Sequence, residues 1–313
     1  MDLDLLFAGT AGSAPTVRRG LPATLVRRGG ERLLFDCGEG TQRQLIRSVG
    51  LVEIDDVFIT HFHADHVLGL PGLLKTYGLQ GRQRSLTVHG PRGLNRLFEI
   101  LRPLVGRTPY ELILDEVEAG QALERDGYVL AAFGVDHRVP ALGWALVEHA
   151  RPGVFSPARA QELGVSPGPD FGRLQRGETV AGSDRDVGPE QVMGAPRAGR
   201  KLVLTGDTAP CEMTAAVAHG ADLLVHEATF LEEEAERARA TGHSTAANAA
   251  ELAGRAGVRM LALTHLSSRY TGGAIRDEAR ATFTPTIVPR DFDRVLIPYP
   301  ERGEPEHIFG DGP

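Results

Sequence analysis

Six consecutive residues, His61-Phe62-His63-Ala64-Asp65-His66, put three imidazoles and one carboxylate in a very short span. Neutral imidazole and carboxylate are donors that suit zinc. His61 and His63 are two apart at the end of an apolar run, Asp56 to Thr60, so both rings can point the same way from a strand end. Asp65 and His66 follow as the chain turns into the next helix. Four donors in six residues suit two metal ions better than one. A chance histidine cluster on a solvated turn is the bland alternative, and the apolar strand feeding the cluster argues against it. Six residues cannot complete two coordination shells, so further donors must come from other strand ends. Three are on offer: His137 after Val129 to Val135, Asp207 after Lys201 to Leu204, and His265 after Met260 to Leu263. His89, His149, His219 and His307 lack that setting and read as ordinary histidines.

The elements that must position these residues follow from hydrophobic pattern. Leu3 to Ala8, Ala23 to Arg27, Arg32 to Phe35, Asp56 to Thr60, Ser85 to His89, Tyr128 to Val135 and Ala141 to Glu148 read as strands. So do Lys201 to Leu204, Leu223 to Val225 and Met260 to Leu263. Helices are expected at Glu39 to Val49, with Leu45, Ile46 and Val49 on one face, and at Val67 to Tyr77, with a break or kink at Pro71-Gly72. Two more are expected at Pro91 to Leu101 and Thr245 to Ala256. Val57-Phe58-Ile59-Thr60-His61 echoes Leu261-Ala262-Leu263-Thr264-His265. Two halves that each mix strands and helices suggest an α/β protein, a four-layer α/β/β/α sandwich. Residues 151–198 differ: Gly, Pro and charge dominate and apolar periodicity is weak, as in a functional or mobile insertion.

The bulk properties set limits. The chain has 313 residues, 42% hydrophobic and 24% charged, with a net charge of −7. A wholly basic nucleic-acid-binding surface is excluded, although a local basic patch is not. Cys37 and Cys211 are too few for a disulfide framework, so a reduced, cytoplasmic setting is expected. No run approaches the roughly 20 apolar residues of a membrane span.

Thr60-His61-Phe62-His63-Ala64-Asp65-His66 resembles the metal motif of the metallo-β-lactamase superfamily. Further motifs resemble the ribonuclease Z family within it. They are Phe35-Asp36-Cys37-Gly38-Glu39-Gly40-Thr41-Gln42, Gly69-Leu70-Pro71-Gly72-Leu73-Leu74, His226-Glu227-Ala228-Thr229-Phe230, Gly242-His243-Ser244-Thr245 and His265-Leu266-Ser267-Ser268-Arg269-Tyr270. The likeness runs from about Leu5 to Phe292. It implies one metallo-β-lactamase domain over residues 1–313 with a protruding flexible arm inserted at 151–198 that grips tRNA. It implies two zinc ions per subunit: His61, His63 and His137 on the first, Asp65, His66 and His265 on the second, Asp207 bridging. It also implies a homodimer in which one subunit's arm serves the other's active site. The expected reaction is removal of the 3′ trailer from precursor tRNA, leaving a tRNA 3′-hydroxyl and a trailer 5′-phosphate.

In that reaction Asp65 takes the proton of the attacking water. The leaving 3′-oxygen needs a proton, and His243 is the candidate donor, oriented by Glu227. A local alternative is that Ser244 or Thr245 caps the next helix, with His243 merely in the preceding turn. Arg269 and Tyr270 could meet phosphate or an unpaired base, or equally be a surface ion pair and a packing residue. Residues 151–201 carry eight Arg/Lys against six Asp/Glu. Rival readings are another hydrolase on the same fold, a phosphodiesterase or a glyoxalase II-type thioesterase, and a non-catalytic RNA-binding relative.

Overall fold

A computed structural model describes residues 2–310. Alternation along the strands sorts side chains between two faces. In Leu3–Gly9, residues Leu3, Leu5 and Phe7 enter one apolar core, and Leu6 and Ala8 enter another. In Lys201–Leu204, residues Leu202 and Leu204 enter the core that Leu3 shares, while Val203 faces a third. The shared core therefore lies between two sheets. Trp144 sits in it fully buried, edge-on to Phe58 at 5.0 Å between ring centroids. The second core joins the first sheet to helices Thr41–Ser48, Leu70–Leu79 and Leu94–Val105. The third joins the second sheet to helices Glu212–Ala218, Ala246–Ala256 and Gly272–Arg280. Three cores between four layers make the α/β/β/α sandwich.

Among the described residues the first sheet has eight strands and the second seven. Each contains a parallel run. In the first, Glu31–Phe35, Asp56–Phe58, Leu86–Gly90 and Leu112–Glu116 are parallel neighbours. In the second, Lys201–Leu204, Leu223–Glu227, Met260–Thr264 and Thr286–Ile287 are. Parallel strands bring their carboxyl ends to one edge, where ligand sites of α/β sheets gather. His61, Asp207 and His265 each follow such an end.

Some details depart from expectation. Pro71 does not break a helix. It lies in the first turn of Leu70–Leu79, where its missing N–H would have had no partner. The break comes earlier, after the short helix Ala64–Val67. On Thr41–Ser48, Leu45 is buried but Ile46, one step of about 100° further round, is 51% exposed. Leu112–Glu116 and Ala122–Arg125 are half-exposed strands with mixed side chains, and no pattern announced them.

Residues Glu148–Gly199 form a second compact unit. The sequence suggested too few apolar residues for a core there, yet Ala160, Val165, Leu174, Val180, Val187 and Val192 make one. All but Val165, which lies in a loop, come singly from short elements: helices Pro157–Glu162, Pro169–Gln175 and Pro189–Val192, and the strand pair Val180–Ala181 and Asp186–Val187. Phe155 packs edge-on to Phe171 at 4.9 Å. The unit closes on itself where Arg151 and Arg197 exchange backbone hydrogen bonds of 2.8 and 2.9 Å. Among the described residues no helix is long and apolar enough to cross a membrane.

Candidate metal centre

The structure brings all seven candidate donors together. His61, His63, His137 and Asp207 offer ligand atoms within 4.8 Å of one another, and so do Asp65, His66 and His265. Asp207 joins the groups: its Oδ2 lies 3.8 Å from His61 Nε2, 3.5 Å from His66 Nε2 and 3.2 Å from His265 Nε2. His265 Nε2 also lies 3.3 Å from Asp65 Oδ2.

A metal group fits these residues. His66 Nε2 and Asp207 Oδ1 are buried without a hydrogen-bond partner, which is costly unless a ligand uses them. His61 Nε2 and His63 Nδ1 face each other at 2.9 Å, and His137 Nε2 is 3.4 Å from the same His63 atom. Nitrogen lone pairs converging this closely call for a cation.

Neighbours fix which nitrogen of each ring faces inward. His66 Nδ1–H donates to Asp36 Oδ2 at 2.7 Å, His137 Nδ1–H to the Gly242 carbonyl at 2.8 Å, and His265 Nδ1–H to Thr229 Oγ1 at 2.8 Å. Each bond leaves Nε2 as the free donor atom, the usual arrangement around ligating histidines. Thr60 Oγ1, 3.1 Å from His61 Nδ1, gives its own proton to Asp36. Asp36 and His265 hold positive φ angles of 56° and 57°. Such conformations cost roughly 1–3 kcal/mol each and persist where the surroundings over-determine them.

Charge is distributed to match. Burial would raise the carboxyl pKa of Asp207, but the charges of His265 and His66 hold it well below the usual range. Burial also opposes ionisation of Asp65, and the His265 hydrogen bond with the His66 charge wins. Burial pushes His61 well down. His66 is buried as well, yet Asp207 and Asp36 raise it well above the imidazole norm.

Beside the cluster, His243 Nδ1–H donates to Glu227 Oε1 at 2.7 Å. Glu227 is 1% exposed and also accepts from Thr208 N at 2.9 Å and Thr229 Oγ1 at 2.6 Å. Burial lowers the His243 pKa, but the bond to Glu227 and its charge outweigh burial and bring it to about 9. Thr245 does cap the following helix, accepting from Asn248 N at 3.1 Å. The cap and the His243–Glu227 pair therefore coexist. Arg269 and Tyr270 both turn to Glu234, at 3.3 and 2.5 Å. His89 is a buried core residue, bonded to Asp115 at 2.7 Å and Asp56 at 3.1 Å.

Residues 19–134 match the metallo-beta-lactamase superfamily, and residues 180–266 match a beta-lactamase superfamily domain. The chain is 44% identical to the ribonuclease Z of Methanosarcina acetivorans over 95% of its length and 99% of that protein. The chain belongs to the ribonuclease Z family. It is also 50% identical to the ribonuclease Z of Myxococcus xanthus, over 86% of this chain and 88% of that one. Human tRNase Z, short form, superposes with a TM-score of 0.69 at 27% identity, covering 94% of this chain and 99% of that one. The metallo-beta-lactamase fold protein YhfI from Bacillus subtilis reaches the same TM-score at 19% identity, over 95% of this chain and 100% of that one, and shares the fold.

Three residues of this ribonuclease Z family member drew no individual attention in the sequence: Asp36, Thr60 and Thr229. All three lie inside motifs that carry the family likeness, which was the one available signal. Their work of orienting His66, His61 and His265 depends on contacts across 24 to 36 residues of chain or the neighbouring ring, which spacing does not reveal.

Proposed function

We propose that the chain is a zinc-dependent endonuclease that removes the 3′ trailer from precursor tRNA, leaving a 3′-hydroxyl on the tRNA and a 5′-phosphate on the trailer. The observation that carries this reading is the Glu227–His243 pair set beside the seven-donor cluster, in a chain of the ribonuclease Z family. His61, His63 and His137 would hold one zinc ion, Asp65, His66 and His265 the other, with Asp207 shared. Such a pair, when bound, makes water acidic near neutral pH and offsets charge on the phosphoryl oxygens.

The side chains supply the proton transfers. Asp65 takes the proton of the attacking water, its Oδ2 held by the Ser13 N–H at 2.8 Å. His243 is protonated at neutral pH and keeps its Nδ1–H on Glu227, so its Nε2–H goes to the leaving 3′-oxygen. Water is the nucleophile, so the ribose 2′-hydroxyl stays out of the attack and no 2′,3′-cyclic phosphate forms. Residues 151–198 serve as an arm for the tRNA body, and the working form is a cytoplasmic homodimer in which each arm serves the partner's site.

The test is incubation of the zinc-loaded protein with an end-labelled precursor tRNA. A single cut with a 3′-hydroxyl and a 5′-phosphate is expected. Cyclic phosphate ends, or turnover of a thioester with no RNA cut, would overturn the reading.

A further inference from the structure

This inference rests on the function proposed above and concerns where the strand beyond the scissile phosphate goes. A groove of about 900 Å³ opens among residues that hold none of the seven donors. One wall is the loop after Leu3–Gly9 and the other is the helix Thr41–Ser48, with Arg290 and Phe292 between them. Arg18, Arg19, Arg43, Arg47 and Arg290 line it, against two carboxylates. One of these, Asp291, is buried and taken up by Thr10 Oγ1, Gly20 N and Gln44 Nε2. The groove is thus net positive, although Arg290 is also paired with Asp293 at 3.4 Å and Arg19 donates to the Pro289 carbonyl, in a chain whose net charge is −7. Arg18 and Arg43 are exposed and form no ion pair among the described residues. The Arg47 guanidinium lies over the Phe292 ring at 5.2 Å. Positive charge along a groove with an aromatic ring is how proteins follow an unpaired nucleic-acid strand.

The wall of this groove is tied to the reaction centre. Ser13 N–H holds Asp65. Gly12 lies so close to the His265 ring that a Cβ there would stand 2.5 Å from Nδ1. The loop therefore flanks the side of the cleft that handles the attacking water. His243, assigned to the leaving oxygen, bonds Glu227, lies near Phe230 and is stacked 5.5 Å from the His265 ring. In an in-line displacement the attacking and leaving oxygens occupy opposite sides of phosphorus. The tRNA body departs with the leaving oxygen, towards His243, while the trailer stays on phosphorus through its equatorial 5′-oxygen and is free to run off to the side of that line, along the wall that Ser13 shares with Asp65.

We propose that this groove binds the single-stranded 3′ trailer, with Arg18, Arg43, Arg47 and Arg290 on its phosphates and Phe292 under a base. The experiment compares wild type with the double variant Arg43→Gln/Arg47→Gln. The substrates are two precursor tRNAs that differ only in trailer length, one nucleotide against a dozen. For the long trailer, kcat/KM should fall about ten-fold and its salt slope should shrink by about 1.4, at ~0.7 per lost single-strand phosphate contact. The one-nucleotide substrate should be cut as by wild type, which also shows that the variant is folded, and affinity for mature tRNA should not change. Equal losses on both substrates, no loss on either, or weaker binding of mature tRNA would overturn the assignment. Failure of wild type to cut either precursor would instead remove the underlying function, and the groove assignment with it.

Discussion

One buried carboxylate orients two different imidazoles. Glu227 accepts the His243 Nδ1–H on Oε1 and the Thr229 hydroxyl on Oε2, and Thr229 in turn accepts from His265. The proposed proton donor and one of the proposed metal ligands are thereby aligned from a single point. Replacing His243 with Ala should lower kcat by about 10²–10⁴-fold, the usual span for a general acid, while bound zinc measured by mass spectrometry stays at the wild-type level. Parallel loss of zinc would make His243 a structural residue. Thr229→Val should weaken zinc binding about 10–100-fold in a chelator competition, the range seen when a partner of a ligating histidine is lost, and Thr229→Ser should restore it. The seven donors could be picked out of the sequence because His and Asp at the ends of apolar strands are chemically conspicuous. Asp36, Thr60 and Thr229 could not, since a polar residue of common type acquires such a role only from what folding sets beside it.

The loop that carries Asp65 is seated by close backbone packing. A Cβ on Gly69 would lie 2.1 Å from the Gly38 carbonyl oxygen, and one on Gly38 would lie 2.3 Å from the Asp65 carbonyl oxygen. Gly69→Ala should destabilise the fold by about 1–3 kcal/mol or more, the cost of forcing atoms into a filled site, read as an earlier urea unfolding midpoint. An unchanged midpoint would mean the loop yields freely. The carboxyl-terminal strands hold a second sensitive point. Asp293 accepts from His307 Nε2 at 3.0 Å and from the backbone of Arg290 and Gly310, both at 2.9 Å. Burial opposes its ionisation, but these bonds bring its pKa down to about 2. A carboxyl depressed in the folded state adds stability above its unfolded pKa of about 3.9, and that stability fades as pH falls through about 2. Asp293→Asn should flatten the pH dependence of unfolding in that window, and an unaltered curve would contradict the assignment. Strands with clean apolar alternation could be read in advance. Leu112–Glu116 and Ala122–Arg125 could not, because half-exposed strands mix polar and apolar residues on both faces. Pro71 misled because proline ends a helix in its interior but suits its first turn, and pattern alone does not say which turn it occupies.

The two compact units divide the labour proposed for the molecule. The unit Glu148–Gly199 has its own core and its own closing hydrogen bonds at Arg151 and Arg197. Replacing residues 152–196 with a short turn should therefore leave the main unit folded and able to hydrolyse bis(p-nitrophenyl) phosphate, while kcat/KM for precursor tRNA collapses. Comparable losses on both substrates would show that the insertion supports the fold rather than the RNA. The layered architecture could be inferred from the sequence because two stretches of apolar strands each alternate with helices. The small core of the insertion stayed hidden because each short element contributes only one or two apolar side chains, too few to set up a period.

The donors come from both ends of the polypeptide. Five belong to residues 61–137, and the last two, Asp207 and His265, come much later. During synthesis the histidines of residues 61–137 leave the ribosome well before Asp207 and His265, and cannot yet complete the proposed metal site. Cutting power would thus arrive only with the nearly finished polypeptide, and a truncated or stalled translation product would be harmless to the RNA around it.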